Sequence, residues 1–221
     1  MKREIIITSD GSTTIHLPDW DEQYHSKHGA IQEAYHVFIK HGLTPISKKE
    51  IAILEIGFGT GLNSFITLLE AQKNNLTIDY VGVEGYPVAL DEVEKLNYVS
   101  ELKATGSKTL FQTLHTNSWE ERHQITSNFS LLKRKQFFID VEDENQFDVI
   151  YFDAFGARVQ PELWTEEIFT KMFTALKNEG TLVTYSAKGS VRRAMQSVGF
   201  TVERLPGPPG KREMLRATKN L

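Results

Sequence analysis

The stretch IAILEIGFGTGLNSFITLLEA, Ile51 to Ala71, constrains this chain more than any other. Its first six residues are apolar except for Glu55, a length and character suited to a buried strand over 51–56. Gly57, Gly59 and Gly61 follow at alternate positions, and an apolar helix is expected over 62–73. Glycines between a strand and a helix let the backbone take positive φ and let a ligand approach closely. The free N–H groups of the helix that follows favour a negative group there. The pattern is GxGxG, which is neither the GxGxxG of a dinucleotide loop nor a phosphate loop with its Lys-Ser/Thr pair. Glu55, just before the first glycine, would sit badly beside a pyrophosphate and suits an amino-acid ammonium. The plainer alternatives are a tight turn for the glycines and, for Glu55, a buried acid paired with a basic side chain.

Beyond this unit, strands and helices alternate, the pattern of a parallel sheet with crossover helices. Strands are expected at 78–83, 129–134, 147–152, 180–185, 200–205 and 212–217, and helices at 87–97, 162–177 and 189–197. The last two strands flank PGPPG, Pro206 to Gly210, a turn-rich link suited to an antiparallel hairpin. The expected fold is therefore α/β and Rossmann-like, a seven-stranded, mostly parallel sheet with an antiparallel C-terminal hairpin. Residues 1–50, with a strand at Ile5–Thr8 and a helix near Gly29–His41, are expected to pack as an N-terminal segment on a core of 51–221. The stretch 98–128 reads as an insertion with some helix.

Two further acids fall at expected strand ends. Glu84 stands 23 positions after Gly61, at the end of YVGVE. An acid at about that distance commonly accepts hydrogen bonds from both ribose hydroxyls of a bound nucleoside. Two acids and a glycine loop together describe an adenosyl amino acid, S-adenosylmethionine. Asp153, after the buried run FDVIYF, would face the methyl-bearing sulfur and steer the protons of an amine nucleophile. Phe155, Trp164 and Tyr185 offer an aromatic face for a planar base; the alternative places Trp164 and Tyr185 in the core.

Composition removes several chemistries. With no cysteine there are no disulfides, thiolate metal sites or cysteine nucleophiles, and the seven histidines show no metal-binding spacing. No apolar stretch is long enough for a membrane span and no secretory leader is evident, so a cytoplasmic protein without membrane or metal partners is expected. The net charge of −4 hides an asymmetry: from Lys188 to Leu221 eight basic residues stand against two acidic ones.

The residues in hand resemble one family, the methyltransferase domain of the tRNA wobble-uridine enzyme MnmC. The matching segments are YHSKHGAIQEAYHVF (24–38), EIGFGTGLN (55–63), FDVIYFDAFGARVQPELWTEEIF (147–169), GTLVTYSAKGSVRRAMQSVGF (180–200) and GPPGKREML (207–215). The resemblance implies a class I S-adenosylmethionine-dependent methyltransferase in stand-alone form. Its acceptor would be the aminomethyl nitrogen of 5-aminomethyl-(2-thio)uridine at the wobble position, with a separate oxidoreductase acting upstream. Carried over, Glu55, Gly57, Phe58, Gly59, Gly61, Asn63 and Glu84 hold the cofactor, and Asp153 sits at the reacting amine. Lys188, Arg192, Arg193, Lys211 and Arg212 would neutralise phosphates of a tRNA anticodon arm. The sequence departs from the family at Lys135-Gln136, where a Gly-Asp pair is usual, and at His41-Gly42, where Gly-Asn is usual. Two other readings stay open: an aminopropyltransferase resembling spermidine synthase, and a non-catalytic adenosyl- or RNA-binding module.

Overall fold

The computed structural model describes residues 2–220. The buried run ahead of the glycines forms β4 (Glu50–Ile56), and α2 (Leu62–Asn74) follows it. Next come β5 (Thr77–Val83), β7 (Phe129–Arg134), β8 (Phe147–Phe152) and β9 (Leu176–Thr184). With β6 (Arg122–Thr126), β10 (Thr201–Pro206) and β11 (Glu213–Thr218) they make one sheet in the order β10-β11-β9-β8-β4-β5-β7-β6. The five central strands run parallel, while β10, β11 and β6 join antiparallel.

The sheet thus has eight strands where the sequence pattern predicts seven. The additional strand, β6, lies within the stretch read as an insertion; its short, polar, half-exposed sequence RHQIT carries no apolar run to announce it. The same stretch supplies α4 (Tyr98–Glu101) and α5 (Lys108–Thr116). The helix expected over 87–97 shrinks to one turn, α3 (Leu90–Val93). Pro87 and the non-helical Ala89 (ψ 149°) delay its start. The helix expected over 162–177 divides. A 3-10 turn at Pro161–Trp164 is broken by extended Thr165, whose hydroxyl caps α6 (Glu166–Ala175), and β9 begins directly at Leu176. Helix α7 (Gly189–Ser197) lies where expected.

Period-two alternation sorts the core into two layers. Ile51 and Ile53 of β4, Ile78 and Tyr80 of β5, and Val149 and Tyr151 of β8 face one layer with α2 and α5. Leu54, Ile56, Val81, Val83, Ile150 and Phe152 face the other with α6 and α7. Glu55 belongs by register to the first face and is fully buried there.

Residues before β4 build a second, three-stranded sheet from β1 (Glu4–Ile7), β2 (Thr13–Leu17) and β3 (Glu22–Gln23). Helix α1 (Ala30–Ala34) continues with the wider π geometry over Tyr35–Leu43 and packs on β8, β9 and β11. Gly42 sits so close to β8 and β9 that a Cβ there would lie 3.0 Å from Val183 and 3.2 Å from the Tyr151 ring. His41-Gly42, a departure from the family, therefore falls at a close helix–sheet contact.

Candidate active site

Strand order reverses at β4: the chain proceeds outward through β5 and β7, then returns to place β8 on the other side. The crevice outside the carboxyl ends of β4 and β8 is where ligands of such sheets bind. Gly57 and Asp153 both stand there, and Asp153 N–H donates to Ile56 O at 2.9 Å. A Cβ on Gly57 would lie 2.7 Å from Asp153 O, and the residue has φ 92°, so glycine is required on both grounds. A Cβ on Gly59 (φ 50°) would press on the Tyr24 ring at 3.2 Å.

The loop is tied to the neighbouring strand end. Gly57 N–H and Phe58 N–H both donate to Val83 O at 3.0 Å, and Gly59 N–H donates to Glu84 Oε2 at 3.0 Å. The other oxygen of Glu84 accepts from Tyr86 N–H at 2.9 Å. Phe58 rests edge-on against His115 and Trp119, at 5.9 and 6.2 Å between ring centres, so the 98–128 stretch buttresses the loop from behind.

A cavity of about 1520 Å³ opens here. It exceeds the roughly 300–1,000 Å³ of ordinary small-molecule sites, leaving room for a cofactor and a second reactant. Among the expected site residues, Gly57, Phe58, Gly59, Asn63, Glu84, Asp153 and Phe155 line it. Glu55, Gly61, Trp164 and Tyr185 do not, nor do the five basic residues expected on phosphate.

Glu55 lies behind the wall. Its carboxylate accepts from Asn63 Nδ2 and from the Tyr80 hydroxyl, both at 2.9 Å. No basic side chain among the described residues is bonded to it; burial pushes its carboxyl well above the ordinary range despite those two hydrogen bonds. Asn63 Nδ2 also donates to Asp153 Oδ2 at 2.8 Å, so one amide spans the two acids. Burial, reinforced by the negative charge of Glu33, pushes Asp153 up to about 7, while Asn63 and Lys211 oppose the rise. Asn63 Oδ1 is buried and has no hydrogen-bond partner among the described residues.

The aromatic face differs from the expected one. Trp164 is a core residue: its indole N–H donates to Phe155 O at 2.8 Å and its ring packs on Phe152 and Phe169. Tyr185 donates its hydroxyl to Ala154 O at 2.8 Å. Phe155 instead meets Trp20 and Tyr24 edge-on, at 5.9 and 4.9 Å. Trp20, Tyr24, His25 and Arg3 reach the cavity from the N-terminal sheet and the segment after it. Burial lowers His25 to about 4, so its ring is neutral, set between Thr14 Oγ1 at 3.2 Å and Thr60 Oγ1 at 3.4 Å. On the far wall, beyond Lys135-Gln136, stand Phe137 and Tyr86. Tyr24 and His25 fall within a segment that carries the family resemblance; Arg3, Trp20 and Tyr86 carry no local signal of a site.

The basic tail is partly spent internally. Lys211 pairs with Glu33 at 2.5 Å, Arg216 with Glu203 at 2.9 Å, and Arg204 with Glu213 at 3.6 Å. Lys188, Arg192, Arg193 and Arg212 form no ion pair among the described residues. The first three lie at the start and along one side of α7, and Arg212 is exposed on the hairpin turn. No helix among the described residues is long and apolar enough to cross a membrane, and no group of three or more acids and histidines there forms a metal site.

Residues 103–220 match a family described as S-adenosyl-L-methionine-dependent methyltransferase. A tRNA 5-methylaminomethyl-2-thiouridine biosynthesis bifunctional protein MnmC from Hydrogenovibrio crunogenus is 29% identical over 212 residues, 88% of this chain and 31% of that protein. Its namesake from Leptospira borgpetersenii is 30% identical over 214 residues, 89% of this chain and 32% of that protein. This chain spans about a third of the length of such relatives. The crystal structure of MNMC2 from Aquifex aeolicus superposes with a TM-score of 0.79 at 25% identity, covering 99% of this chain and 70% of that one. Spermidine synthase from Thermotoga maritima shares the fold, with a TM-score of 0.55 at 16% identity over 100% of this chain and 75% of its own. Matched by that family over residues 103–220, more than half of its length, the chain belongs to the S-adenosyl-L-methionine-dependent methyltransferase family.

Proposed function

We propose that this protein methylates the aminomethyl nitrogen of 5-aminomethyl-(2-thio)uridine at the wobble position of tRNA. The observation that carries the reading is one cavity lined by the glycine loop, Glu84 and Asp153. S-adenosylmethionine, when bound, supplies a methyl group activated by its positive sulfur. The residues fit it: Gly57 and Gly59 on the cavity wall leave the backbone open to close approach, and Glu84 keeps lone pairs for ribose hydroxyls. Asn63 Oδ1 is a buried acceptor for the ammonium of its amino-acid end. The uncapped first turn of α2 favours its carboxylate. Glu55 acts from behind, holding Asn63 in place. Gly61 shapes the turn into α2 (φ 70°).

Asp153 accepts a hydrogen bond from the acceptor amine and takes its proton once the nitrogen has been alkylated. Phe155, with Trp20 and Tyr24, provides edges and faces for the uracil ring. Residues 1–50 pack on the 51–221 core and shield the reaction from water. Lys188, Arg192, Arg193 and Arg212 hold phosphates of the anticodon arm. An oxidoreductase, separate or fused, supplies the aminomethyl form upstream, and the reaction takes place in the cytoplasm.

The test is transfer of labelled methyl from S-adenosylmethionine to tRNA carrying 5-aminomethyluridine, with unmodified transcript beside it. Label in the modified tRNA alone is expected; equal label in both overturns the acceptor. Decarboxylated S-adenosylmethionine in the same assay tests the aminopropyl alternative, whose product would carry a three-carbon amine instead of a methyl group.

A further inference from the structure

Lys211 is a phosphate candidate by its place in the basic tail, yet the fold turns it inward. Its Nζ lies 2.5 Å from Glu33 Oε1 and 3.8 Å above the centre of the Tyr185 ring. Glu33 is buried on α1, its other oxygen accepting from Ser26 N–H at 3.0 Å. Tyr185 in turn donates to Ala154 O, the residue after Asp153. Further contacts fasten the hairpin turn to the same region: His36 Nε2 lies 2.8 Å from Pro206 O, and a Cβ on Gly210 would collide with His28. An ion pair between a buried glutamate and a partly exposed lysine 178 residues away loses much of its gain to desolvation and gives little net stability. Its position beside the reacting carboxylate gives it another use.

We propose that Glu33 and Lys211 are a positioning pair for Asp153: Lys211 fixes Tyr185, which holds the Ala154 carbonyl next to Asp153, and the opposed charges of the pair balance the field at its carboxylate. This rests on the amine-methylation reading. In that reaction the nitrogen lone pair forms the N–C bond while the methyl–sulfur bond breaks, leaving its electron pair on sulfur. The resulting ammonium gives one proton to Asp153. Asp153 must therefore be ionised when the amine arrives yet remain basic enough to accept that proton.

Glu33 from α1 raises Asp153 and Lys211 from the hairpin turn lowers it. The other titratable groups around it are Tyr185 of the β9 end, with Glu22 beyond it, Glu55 and Tyr80 through Asn63, and Tyr98. Of all these groups, only Lys211 is a basic side chain. Removing one member of the pair should thus move Asp153 in one direction, and removing the other should move it oppositely.

The test is a carboxyl ¹³C NMR titration of aspartate-labelled protein, with the Asp153 signal assigned by Asp153→Asn. Glu33→Gln should lower the Asp153 midpoint and Lys211→Met should raise it, each on the order of one pH unit, a tenfold change in the ionised fraction. Lys211→Arg should restore the native value. A packing defect would move both variants the same way or not at all, and either result overturns the proposal. If Glu33→Gln does not fold, the contrast between Lys211→Met and Lys211→Arg decides. The titration needs no acceptor RNA, so the two ideas fail separately: absence of labelled methyl transfer by the native protein removes the acceptor reading, whereas only the titration can remove the pair.

Discussion

Gly59 N–H donates to Glu84 Oε2 at 3.0 Å, so the glycine loop and the end of β5 hold one another in place. Glu84 fixes the loop and, on the proposed reading, also accepts ribose hydroxyls. Glu84→Ala should weaken S-adenosylmethionine binding by about 1–3 kcal/mol, the cost of a lost partner for buried hydrogen-bonding groups. Glu84→Gln should fall between, because its amide carries a single acceptor oxygen where two N–H donors now find one each. Titration calorimetry measures both, and an unaltered affinity in Glu84→Ala would take the residue out of the site.

On the proposed mechanism Asp153 governs the pH dependence of the reaction. Burial and then Glu33 favour its protonated form, which sets its midpoint near 7. As proton acceptor Asp153 would have to be ionised, so the rate should decline as pH falls through about 7, not through about 4 as for an ordinary aspartate. Asp153→Asn should abolish that limb and slow transfer by about 10²–10⁴-fold, the range for a positioned proton acceptor. Single-turnover rates between pH 5.5 and 9 at saturating donor are the measurement; the same acid limb in Asp153→Asn would assign it elsewhere.

Glu55 bears on stability. Its folded pKa lies above its unfolded one, so the folded state holds the extra proton. The contribution is fully present below the unfolded pKa of about 4.3 and is lost as pH rises toward the folded value. Glu55→Gln removes the titration and keeps a side chain able to bond Tyr80 and Asn63. The melting temperature of the variant minus that of the native protein should thus rise from pH 4 to pH 8. A difference independent of pH would mean that Glu55 titrates alike in both states.

Trp164 and Phe155 separate packing from recognition. Trp164→Ala empties a core site beneath Phe152 and Phe169 and should cost about 3–5 kcal/mol in denaturant unfolding. Phe155→Ala, half-buried at the cavity wall, should leave the unfolding midpoint much closer to native and instead weaken the acceptor complex. Equal stability losses would return Phe155 to the core.

The central architecture is legible in the sequence because it is written in local signals. Apolar runs ending in Glu55, at Val83 and at Phe152 mark strands buried on both faces, and glycine spacing marks the loop between them. β6 is not legible, since an edge strand half in solvent needs no apolar pattern. The acids at strand ends are readable by position, but the depth of Glu55 is not: period two assigns its face, and only the packing of Tyr80 and Asn63 decides how far from solvent it lies. Trp20, Tyr24 and His25 reach the cavity through a chain fold-back of more than a hundred residues from Asp153. No local pattern encodes such a meeting. Lys211 and Trp164 depart from expectation for the same reason, because residue type suggests a plausible partner and the tertiary fold supplies a nearer one.

The basic surface gives the last prediction its form. Of the five residues expected on phosphate, Lys211 is held by Glu33, whereas Lys188, Arg192, Arg193 and Arg212 have no ion-pair partner among the described residues. Each phosphate neutralised releases condensed counterions, adding about 0.7–0.9 to the slope of log affinity against log salt. Reversing Arg192 and Arg193 together should weaken tRNA binding at low salt and flatten that slope by about two. Lys211→Met should leave the slope nearly unchanged, since its charge is already met inside the protein. Filter binding across a salt series distinguishes them. A slope lost with Lys211 and kept without the two arginines would mean that the ion pair opens to RNA and that α7 faces away from it.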